Sequence, residues 1–242
     1  MSEQTIYRFA TPVELQRAAL VSIAKFLDEA VRLRGVATLC LSGGSTPKAV
    51  YELLANEQSP EWAKVHFFWG DERCVPPTHH ESNFLMAKNA LLERLVIPDG
   101  NIHRIEAERP PAEAAQQYER ELRNFFRLME NEMPRFDVTL LGLGEDGHTA
   151  SLFPGTTILN ETTRLVAEVY VEQFKAHRIS LTYPVLNNSA VIMFLVSGSG
   201  KASILHEILE GAPGRFPAQK IQPSDGTLYW LVDEQASSHL TT

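Results

Sequence analysis

Asp146 and His148 are the residues of this sequence whose types and spacing most directly suggest chemistry. They lie two positions apart in GLGEDGHTASLFPG, residues 142–155, directly after the apolar run FDVTLL. Histidine has an unperturbed pKa of ~6.5, so it can take a proton from water, and a nearby carboxylate can orient it and stabilise its protonated form. The spacing therefore predicts a general base with its support, and the alternative is a structural histidine.

The same stretch contains G-x-G-x-x-G at Gly142, Gly144 and Gly147, a pattern that also occurs in dinucleotide-binding loops. In such a loop the pyrophosphate lies against the residues between the second and third glycines. Here those residues are Glu145 and Asp146, whose carboxylates would repel it. We therefore predict that the glycines form a tight loop and that no dinucleotide cofactor binds.

Two further glycine-containing loops could hold an anion. SGGSTP offers backbone N–H groups and hydroxyls from Gly43, Gly44, Ser45 and Thr46 ahead of a helix, which suits a phosphate, although a simple strand-to-helix turn would look the same. SGSGKAS, residues 197–203, presents Lys201 at the start of another helix. It lacks the first glycine and the final Ser or Thr of a nucleotide P-loop, so it suits a single phosphate; an exposed lysine is the alternative.

The segment WGDERCVPPTHHESN places Asp71 and Arg73 directly after a strand. An arginine can donate two hydrogen bonds to a phosphate, and the alternative is a structural salt bridge between Asp71 and Arg73. His79 and His80, followed by Glu81, could suggest a metal. Because neighbouring residues rarely converge on one ion and no spaced third ligand is evident, we predict no metal site.

The first of the elements that must position these residues is a long amphipathic helix. Thr11 is its predicted N-cap, Pro12 occupies its first turn, Glu14 completes a capping box and Gly35 ends it. An apolar strand at 36–41 follows, and then a second helix with Thr46 as the predicted N-cap and Pro47 at the first position.

The order of strand, loop and helix recurs along the chain. Further strands are predicted in VHFFWG, FDVTLLG, RLVAEVY, RISLT, AVIMFLVSG and TLYWLVD, and further helices near Ser82, over residues 112–131 and in KASILHEILEG. This alternation predicts a single α/β domain over residues 1–242, with a doubly wound, mostly parallel, Rossmann-like sheet covered by helices on both faces. In such sheets ligands bind at the carboxyl ends of the strands, where SGGSTP, GDERCVP, GLGEDGHTASLFPG and SGSGKA all lie.

Composition excludes several classes of partner. The chain has 242 residues and a net charge of −8, which disfavours nucleic acid and anionic membranes as partners, and no run approaches the ~18 apolar residues of a membrane span. The N-terminal residues lack the apolar region of a signal peptide, and the two cysteines form no C-x-x-C motif. We expect a cytoplasmic protein.

The motifs LSGGSTP, DERCVP with HHESN, LLGLGEDGHTASLFPG, RISLTYP and SGSGKA, in this order, resemble the 6-phosphogluconolactonase family. The resemblance implies hydrolysis of 6-phosphoglucono-δ-lactone to 6-phosphogluconate, without a cofactor, on the α/β fold shared with glucosamine-6-phosphate deaminases. It makes His148 the general base and Asp146 its supporting carboxylate, with Asp71 as a competitor for that role. The cations around the substrate phosphate would be Arg73, Arg178 and Lys201, with loop contacts from Gly43, Gly44, Ser45 and Thr46.

Two alternative functions remain open at the level of sequence. A deaminase acting on an amino-sugar phosphate shares the fold and the D-G-H core, but that group continues with IAFNEP, whose acid is absent from TASLFPG here. A sugar-phosphate sensor without catalysis is the second alternative, although it would have little use for both Asp146 and His148. The expected partner is a small sugar-phosphate lactone, and a monomer is compatible with the sequence.

Overall fold

The computed structural model describes residues 4–241, and its centre is a seven-stranded parallel sheet. The strands are β1 Gln4–Phe9, β2 Ala37–Leu41, β3 Val65–Trp69, β4 Asp71–Arg73, β5 Ile102–His103, β6 Val138–Leu141, β7 Val166–Val171, β8 Ala176–Leu181, β9 Val191–Val196 and β10 Thr227–Asp233. The helices are α1 Pro12–Arg34, α2 Ser45–Leu54, α3 Asn83–Ala90, α4 Pro111–Phe126, α5 Tyr183–Asn187 and α6 Ala202–Leu209. The predicted fold class is confirmed.

The large sheet has the strand order β1-β10-β9-β6-β2-β3-β5, and all its neighbouring strands run parallel. From β2 the chain builds outward through β3 and β5, whereas from β6 it builds in the other direction through β9 and β10. The strand order therefore reverses between β2 and β6, and the loops that follow these strands diverge there. Such a reversal leaves the crevice in which open α/β sheets bind their ligands.

Helices pack on both faces of this sheet. Helix α1 contacts β1, β2, β6 and β10 and also packs on α2. On the other face Phe125 and Phe126 of α4 pack against Phe68 of β3, with ring centroids 5.1 and 5.7 Å apart. Successive strand residues point to opposite faces, so Phe67 faces away from α4 and stacks on Trp62 instead. Both faces of β3 are thus buried.

The ends of α1 follow the predicted capping chemistry with one difference. Thr11 accepts a hydrogen bond from the backbone N–H of Glu14 at 3.2 Å, and Gly35 closes the helix in the left-handed region at φ 76°. The Glu14 carboxylate accepts the N–H of Ala10, not that of Thr11, at 3.0 Å. The capping box therefore reaches one residue further back than predicted.

The predicted start of the second helix was wrong. Helix α2 begins at Ser45 with Gly44 as its N-cap, so Thr46 is inside the helix and Pro47 is its third residue. Proline is tolerated throughout the first turn, where backbone N–H groups have no partner inside the helix. Pro47 therefore marks the first turn without fixing which residue opens it.

Three strands form a separate antiparallel sheet in the order β4-β8-β7, which the sequence analysis did not predict. Its strand β4 is the segment Asp71–Arg73, which the sequence places directly after a strand and for which no strand was predicted. Strand β1 was also missed, because it is a short, largely exposed edge strand whose pairing partner, β10, comes at the other end of the chain. Helix α4 ends earlier than predicted, at Phe126, with Arg127 as its C-cap at φ 52°.

None of the helices formed by residues 4–241 is both long enough and apolar enough to cross a membrane.

Candidate active site

A pocket of about 340 Å³ opens where the loops after β2, β6 and β9 meet the small antiparallel sheet. It is lined by every predicted site residue except Asp146: Gly43, Gly44, Ser45, Thr46, Asp71, Arg73, His148, Arg178 and Lys201. These residues come from five separate segments of the chain. The sheet therefore brings the predicted motifs to a single site.

Asp146 does not line the pocket itself, but it contacts His148, which lies two positions later in the same loop. Its Oδ1 lies 2.5 Å from Nδ1 of His148 and also accepts the backbone N–H of His148 at 3.2 Å. Burial raises the pKa of Asp146, but the hydrogen bond and the charge of His148 outweigh it, so the pKa of Asp146 lies below its ordinary value. Because Nδ1 is engaged by a carboxylate, Nε2 is the imidazole nitrogen left free to accept a proton.

Gly144 makes room for this pair. A Cβ atom at position 144 would lie 2.0 Å from Nδ1 of His148 and 2.8 Å from Oδ1 of Asp146. The loop closes on itself, because the N–H of Gly144 donates to the carbonyl of His148 at 2.8 Å and that of Gly147 donates to the carbonyl of Gly144 at 3.1 Å. The absence of a side chain at Gly144 therefore lets the imidazole lie flat against the loop backbone.

The imidazole is also held from its face. The ring of Phe153 stacks on that of His148 with centroids 4.0 Å apart and an interplanar angle of 27°. Phe153 is itself buried, and its ring meets the edge of Phe174, with centroids 5.8 Å apart. His148 thus has one fixed hydrogen bond and one fixed stacking partner.

Asp71 is in the pocket but is bound to other residues. Its Oδ2 accepts a hydrogen bond from Ser151 Oγ at 2.6 Å, and its Oδ1 lies 3.4 Å from the side-chain amide of Asn83. Of the two candidate supports for His148, only Asp146 forms a hydrogen bond with it among the described residues. Asp71 is instead a second carboxylate on the pocket wall, where it can accept a hydrogen bond from a substrate hydroxyl.

Glu72, which the sequence analysis left without a role, anchors the start of α3. Its carboxylate accepts the backbone N–H groups of Arg73, Asn83 and Phe84, each at 2.8 Å, and the hydroxyl of Ser82 at 3.0 Å. Burial raises the pKa of Glu72, and the four donors favour its ionised form and oppose that rise. These hydrogen bonds hold β4, which contains Arg73, against the N-terminus of α3.

Arg73 and Arg178 face each other across the antiparallel pair β4 and β8. The Arg73 guanidinium donates to the carbonyl of Glu81. Burial and the neighbouring charge of Arg73 lower the pKa of Arg178. Like charges placed directly opposite destabilise a sheet, so this arrangement favours binding of an anion between them.

Lys201 reaches the pocket from the loop after β9. Its Nζ lies 4.0 Å from a carboxylate oxygen of the largely exposed Glu145. The loop is held by Asp233, a fully buried carboxylate at the end of β10, which accepts the Ser197 hydroxyl at 2.5 Å and the Gly198 N–H at 3.0 Å. Asp233 therefore fixes the loop that presents Lys201.

The loop after β2 passes close to α3. A Cβ atom at Gly43 would lie 2.1 Å from Oδ1 of Asn83, and Gly44 has φ 108°, in the region that favours glycine. Both positions therefore suit glycine for steric reasons. The loop then leads into the N-terminus of α2, whose first backbone N–H groups are available to an anion.

The structure also brings together the potential metal ligands that were considered from the sequence. Among the residues that the structure describes, His79, His80 and Glu81 form one group of three whose ligand atoms are within 4.8 Å of one another. They are consecutive surface residues outside the pocket lining, and we assign no role to them. That the reaction uses no metal and no cofactor stays a prediction.

Sequence reasoning missed several pocket residues, among them Asn83, Ser151, Phe153 and Phe174. Ser151 and Phe153 lie within the D-G-H stretch, at three and five positions after His148, so they could have been found by extending the motif. Asn83 and Phe174 approach from α3 and from the β7–β8 connection. Asn83 is the last residue of the HHESN stretch, which carries part of the family resemblance, so it could have been found from that motif. No signal in the sequence links Phe174 to the loop of His148.

Comparison with known proteins gives a consistent result. A model of the family described as "Glucosamine-6-phosphate isomerases/6-phosphogluconolactonase" matches residues 10–230. A 6-phosphogluconolactonase from Synechocystis sp. is 44% identical over 225 residues, which cover 92% of each chain. The solved structure of a 6-phosphogluconolactonase from Trypanosoma cruzi superposes with a TM-score of 0.89 at 29% identity and covers 100% of this chain and 99% of its own.

A monomeric glucosamine-6-phosphate deaminase has the same fold, with a TM-score of 0.80 at 20% identity over 97% of this chain and 99% of its own. At that level of identity the likeness extends to the fold alone. The fold is therefore compatible with both lactone hydrolysis and deamination, and the side chains of the pocket must distinguish them.

Proposed function

Since the chain belongs to the family of glucosamine-6-phosphate isomerases and 6-phosphogluconolactonases, we propose that it hydrolyses 6-phosphoglucono-δ-lactone to 6-phosphogluconate, with His148 as the general base. The activity follows the names of relatives that match nearly the whole chain. The observation that carries the catalytic role is the hydrogen bond between Asp146 and His148 in a pocket that also contains three cationic side chains.

The proposed reaction needs one proton acceptor and one electrophile. Nε2 of His148 takes a proton from water while the water oxygen bonds to the lactone carbonyl carbon, giving a tetrahedral alkoxide. When the alkoxide collapses, the bond from that carbon to the ring oxygen breaks, and the imidazolium returns its proton to the departing oxygen. The new carboxylic acid loses its proton to the solvent, so the sugar acid is released as its carboxylate, and the histidine is again neutral.

Asp146 supports this cycle electrostatically. Its carboxylate is ionised well below neutral pH, because its pKa is already below the ordinary value. It therefore accepts from Nδ1 and stabilises the imidazolium that forms during water attack. A lactone is an activated ester, so one general base, which typically contributes about 10²–10⁴-fold, together with positioning is sufficient chemistry.

The phosphate of the substrate would bind at the cationic groups that line the same pocket as the base. Arg73 and Arg178 offer two guanidinium groups, Lys201 offers a point charge, and the loop formed by Gly43, Gly44, Ser45 and Thr46 offers N–H groups and hydroxyls. These groups concentrate positive charge in a chain whose net charge is −8. A phosphorylated substrate is thereby held with its lactone carbonyl toward His148, which is how remote binding supports the reacting step.

The test is hydrolysis of freshly generated 6-phosphogluconolactone, with the spontaneous reaction subtracted. We expect His148→Ala to lower kcat by about 10²–10⁴-fold without changing the circular dichroism spectrum or the melting temperature, because a general base contributes that much. His206→Ala, at a histidine outside the pocket that pairs with Glu210, is the matched control and should keep wild-type activity. Full activity of His148→Ala would disprove the role of the base.

The same purified protein separates the alternatives. Deamination of glucosamine-6-phosphate that exceeds lactone hydrolysis would favour the deaminase. Tight binding of 6-phosphogluconate without turnover of either substrate would favour a sensor. The cytoplasmic location and the single-domain extent of residues 1–242 stay predictions, which cell fractionation and limited proteolysis can test.

A further inference from the structure

Arg178 has an unusual environment for a half-buried arginine. Its Nε is buried and has no hydrogen-bond partner, and within residues 4–241 its side chain forms no ion pair. The charges of Asp71, Glu81 and Glu72 favour its charged form from a distance, whereas the guanidinium of Arg73 opposes it. An arginine in this position needs some other contact to hold its guanidinium in place.

That contact is the ring of Phe174. The guanidinium carbon of Arg178 lies 5.3 Å from the centroid of the ring, within the range of a cation–π interaction. Phe174 ends the short turn Glu172–Phe174 that connects β7 to β8, and its side chain is 51% exposed although it lines the pocket. The same hairpin thus carries the arginine on its strand and the aromatic ring at its tip.

We propose that Phe174 is a positioning residue that holds Arg178 for the substrate phosphate by a cation–π contact. A carboxylate in its place would also fix the guanidinium, but it would neutralise the charge and compete with the phosphate for the same N–H donors. An aromatic ring attracts the cation through its face and leaves the donors at the guanidinium edge free. Phe174 therefore holds the guanidinium of Arg178 in place and leaves its N–H groups free to bind the phosphate.

This role is separate from that of the neighbouring aromatic ring. Phe153 stacks on His148, is buried, and meets Phe174 only edge to face. Removing the Phe174 ring leaves both the Asp146 hydrogen bond and the Phe153 stacking on His148 in place. Phe174 is accordingly expected to act on phosphate binding and to leave the proton transfer at His148 unchanged.

The experiment compares three variants with the wild type. Phe174→Leu keeps an apolar side chain but removes the π face, Phe174→Tyr keeps the π face, and Tyr170→Leu removes an aromatic of similar exposure, 46%, from the same hairpin outside this pocket. Steady-state kinetics are measured with 6-phosphogluconolactone and with unphosphorylated glucono-δ-lactone. Calorimetry with inorganic phosphate measures binding without turnover.

We expect Phe174→Leu to raise KM for the phosphorylated lactone, and to weaken phosphate binding, by about fivefold with unchanged kcat. Kinetics with the unphosphorylated lactone should not change, Phe174→Tyr should restore wild-type values, and Tyr170→Leu should behave as wild type. Equal losses on both lactones would show that Phe174 contacts the sugar instead, and wild-type phosphate binding in Phe174→Leu would also overturn the proposal.

The inference rests on the proposed function, but the two can fail separately. If the wild type hydrolyses neither lactone, the proposed activity is wrong, while the calorimetric comparison of Phe174→Leu with the wild type still decides whether the ring positions Arg178. If the wild type prefers the phosphorylated lactone and Phe174→Leu keeps the same KM and phosphate affinity, only the positioning role is wrong.

Discussion

At the scale of single residues, the loop after β6 shows how a common glycine pattern can serve different chemistry. In a dinucleotide-binding loop a pyrophosphate would lie against the position that Asp146 has in the glycine pattern. Here the Asp146 carboxylate is hydrogen-bonded to His148. Gly144 provides the space for the imidazole, because any Cβ at that position would overlap Nδ1. The glycine therefore matters for the position of a side chain that comes four residues later.

Gly144→Ala tests this steric requirement. The added methyl group must displace the His148 ring, so we expect kcat for lactone hydrolysis to fall by about 10²-fold or more, as when a general base is misplaced. Gly142→Ala is the matched control, since its Cβ would have Ser42 Oγ at 3.9 Å as its nearest neighbour, an ordinary contact. Similar kcat values for the two variants would contradict this account of Gly144.

At the scale of elements, the small antiparallel sheet determines where the cations lie. Its register sets Arg73 of β4 opposite Arg178 of β8, and Glu72 ties β4 to the first turn of α3. The pairing of β4 with β8 is less stable than it would be with opposite charges at that position, because the two guanidinium groups repel each other. The same pairing places the guanidinium groups of Arg73 and Arg178 together at the pocket, where both can donate hydrogen bonds to an anion.

Arg73→Gln tests whether this pair binds phosphate. We expect kcat/KM for 6-phosphogluconolactone to fall by about tenfold or more, since a charge-assisted contact is lost, and kcat/KM for glucono-δ-lactone to stay the same. Arg120→Gln removes an equal charge from the surface of α4, where Arg120 pairs with Gln117, and should affect neither substrate. Parallel losses on both lactones in Arg73→Gln would mean that Arg73 supports the fold and does not select phosphate.

At the scale of the whole molecule, stability and the proposed catalysis involve different histidines. His66 of β3 and His103 of β5 are joined by a hydrogen bond of 2.9 Å, and His103 continues to Glu121 of α4 at 2.7 Å. This network lies between the sheet and α4, beside Phe125, and outside the pocket that contains His148. Burial, together with the charge of His103, lowers the pKa of His66 to about 4.

The global stability should therefore fall on mild acidification. Between pH 6.5, the ordinary pKa of histidine, and about pH 4, the unfolded chain binds a proton at residue 66 that the folded chain does not. The contribution of neutral His66 is fully present above this window and is lost as the pH falls through it. We expect His66→Phe to lose less free energy of unfolding than the wild type between about pH 7 and about pH 5, in urea titrations.

His239→Phe replaces an exposed histidine and should show the wild-type dependence on pH. If His66→Phe also lost as much stability as the wild type between the two pH values, His66 would not be the group that titrates in this window.

Much of the fold follows from local signals. Thr11, Pro12 and Gly35 mark both ends of α1, and the apolar runs coincide with the central strands, because caps and hydrophobic patterns act over a few residues. The sequence could not indicate β1, whose partner β10 comes more than two hundred residues later, nor the antiparallel pairing that makes Asp71–Arg73 a strand. The start of α2 was predicted wrongly from Pro47, because proline fits every position of a first turn.

By itself the sequence determined the side chains that could do the chemistry: Asp146 with His148, the cations Arg73, Arg178 and Lys201, and the glycine loops that follow parallel strands. Arg178 came only from the family resemblance of RISLTYP, whereas the other groups lie in short motifs whose residue types carry their own chemistry. Only the tertiary structure decided that Asp146, and not Asp71, is bonded to His148, and that Phe174 covers Arg178. Those choices depend on distances between segments that are remote in the chain, and such distances arise only when the sheet and its loops pack together.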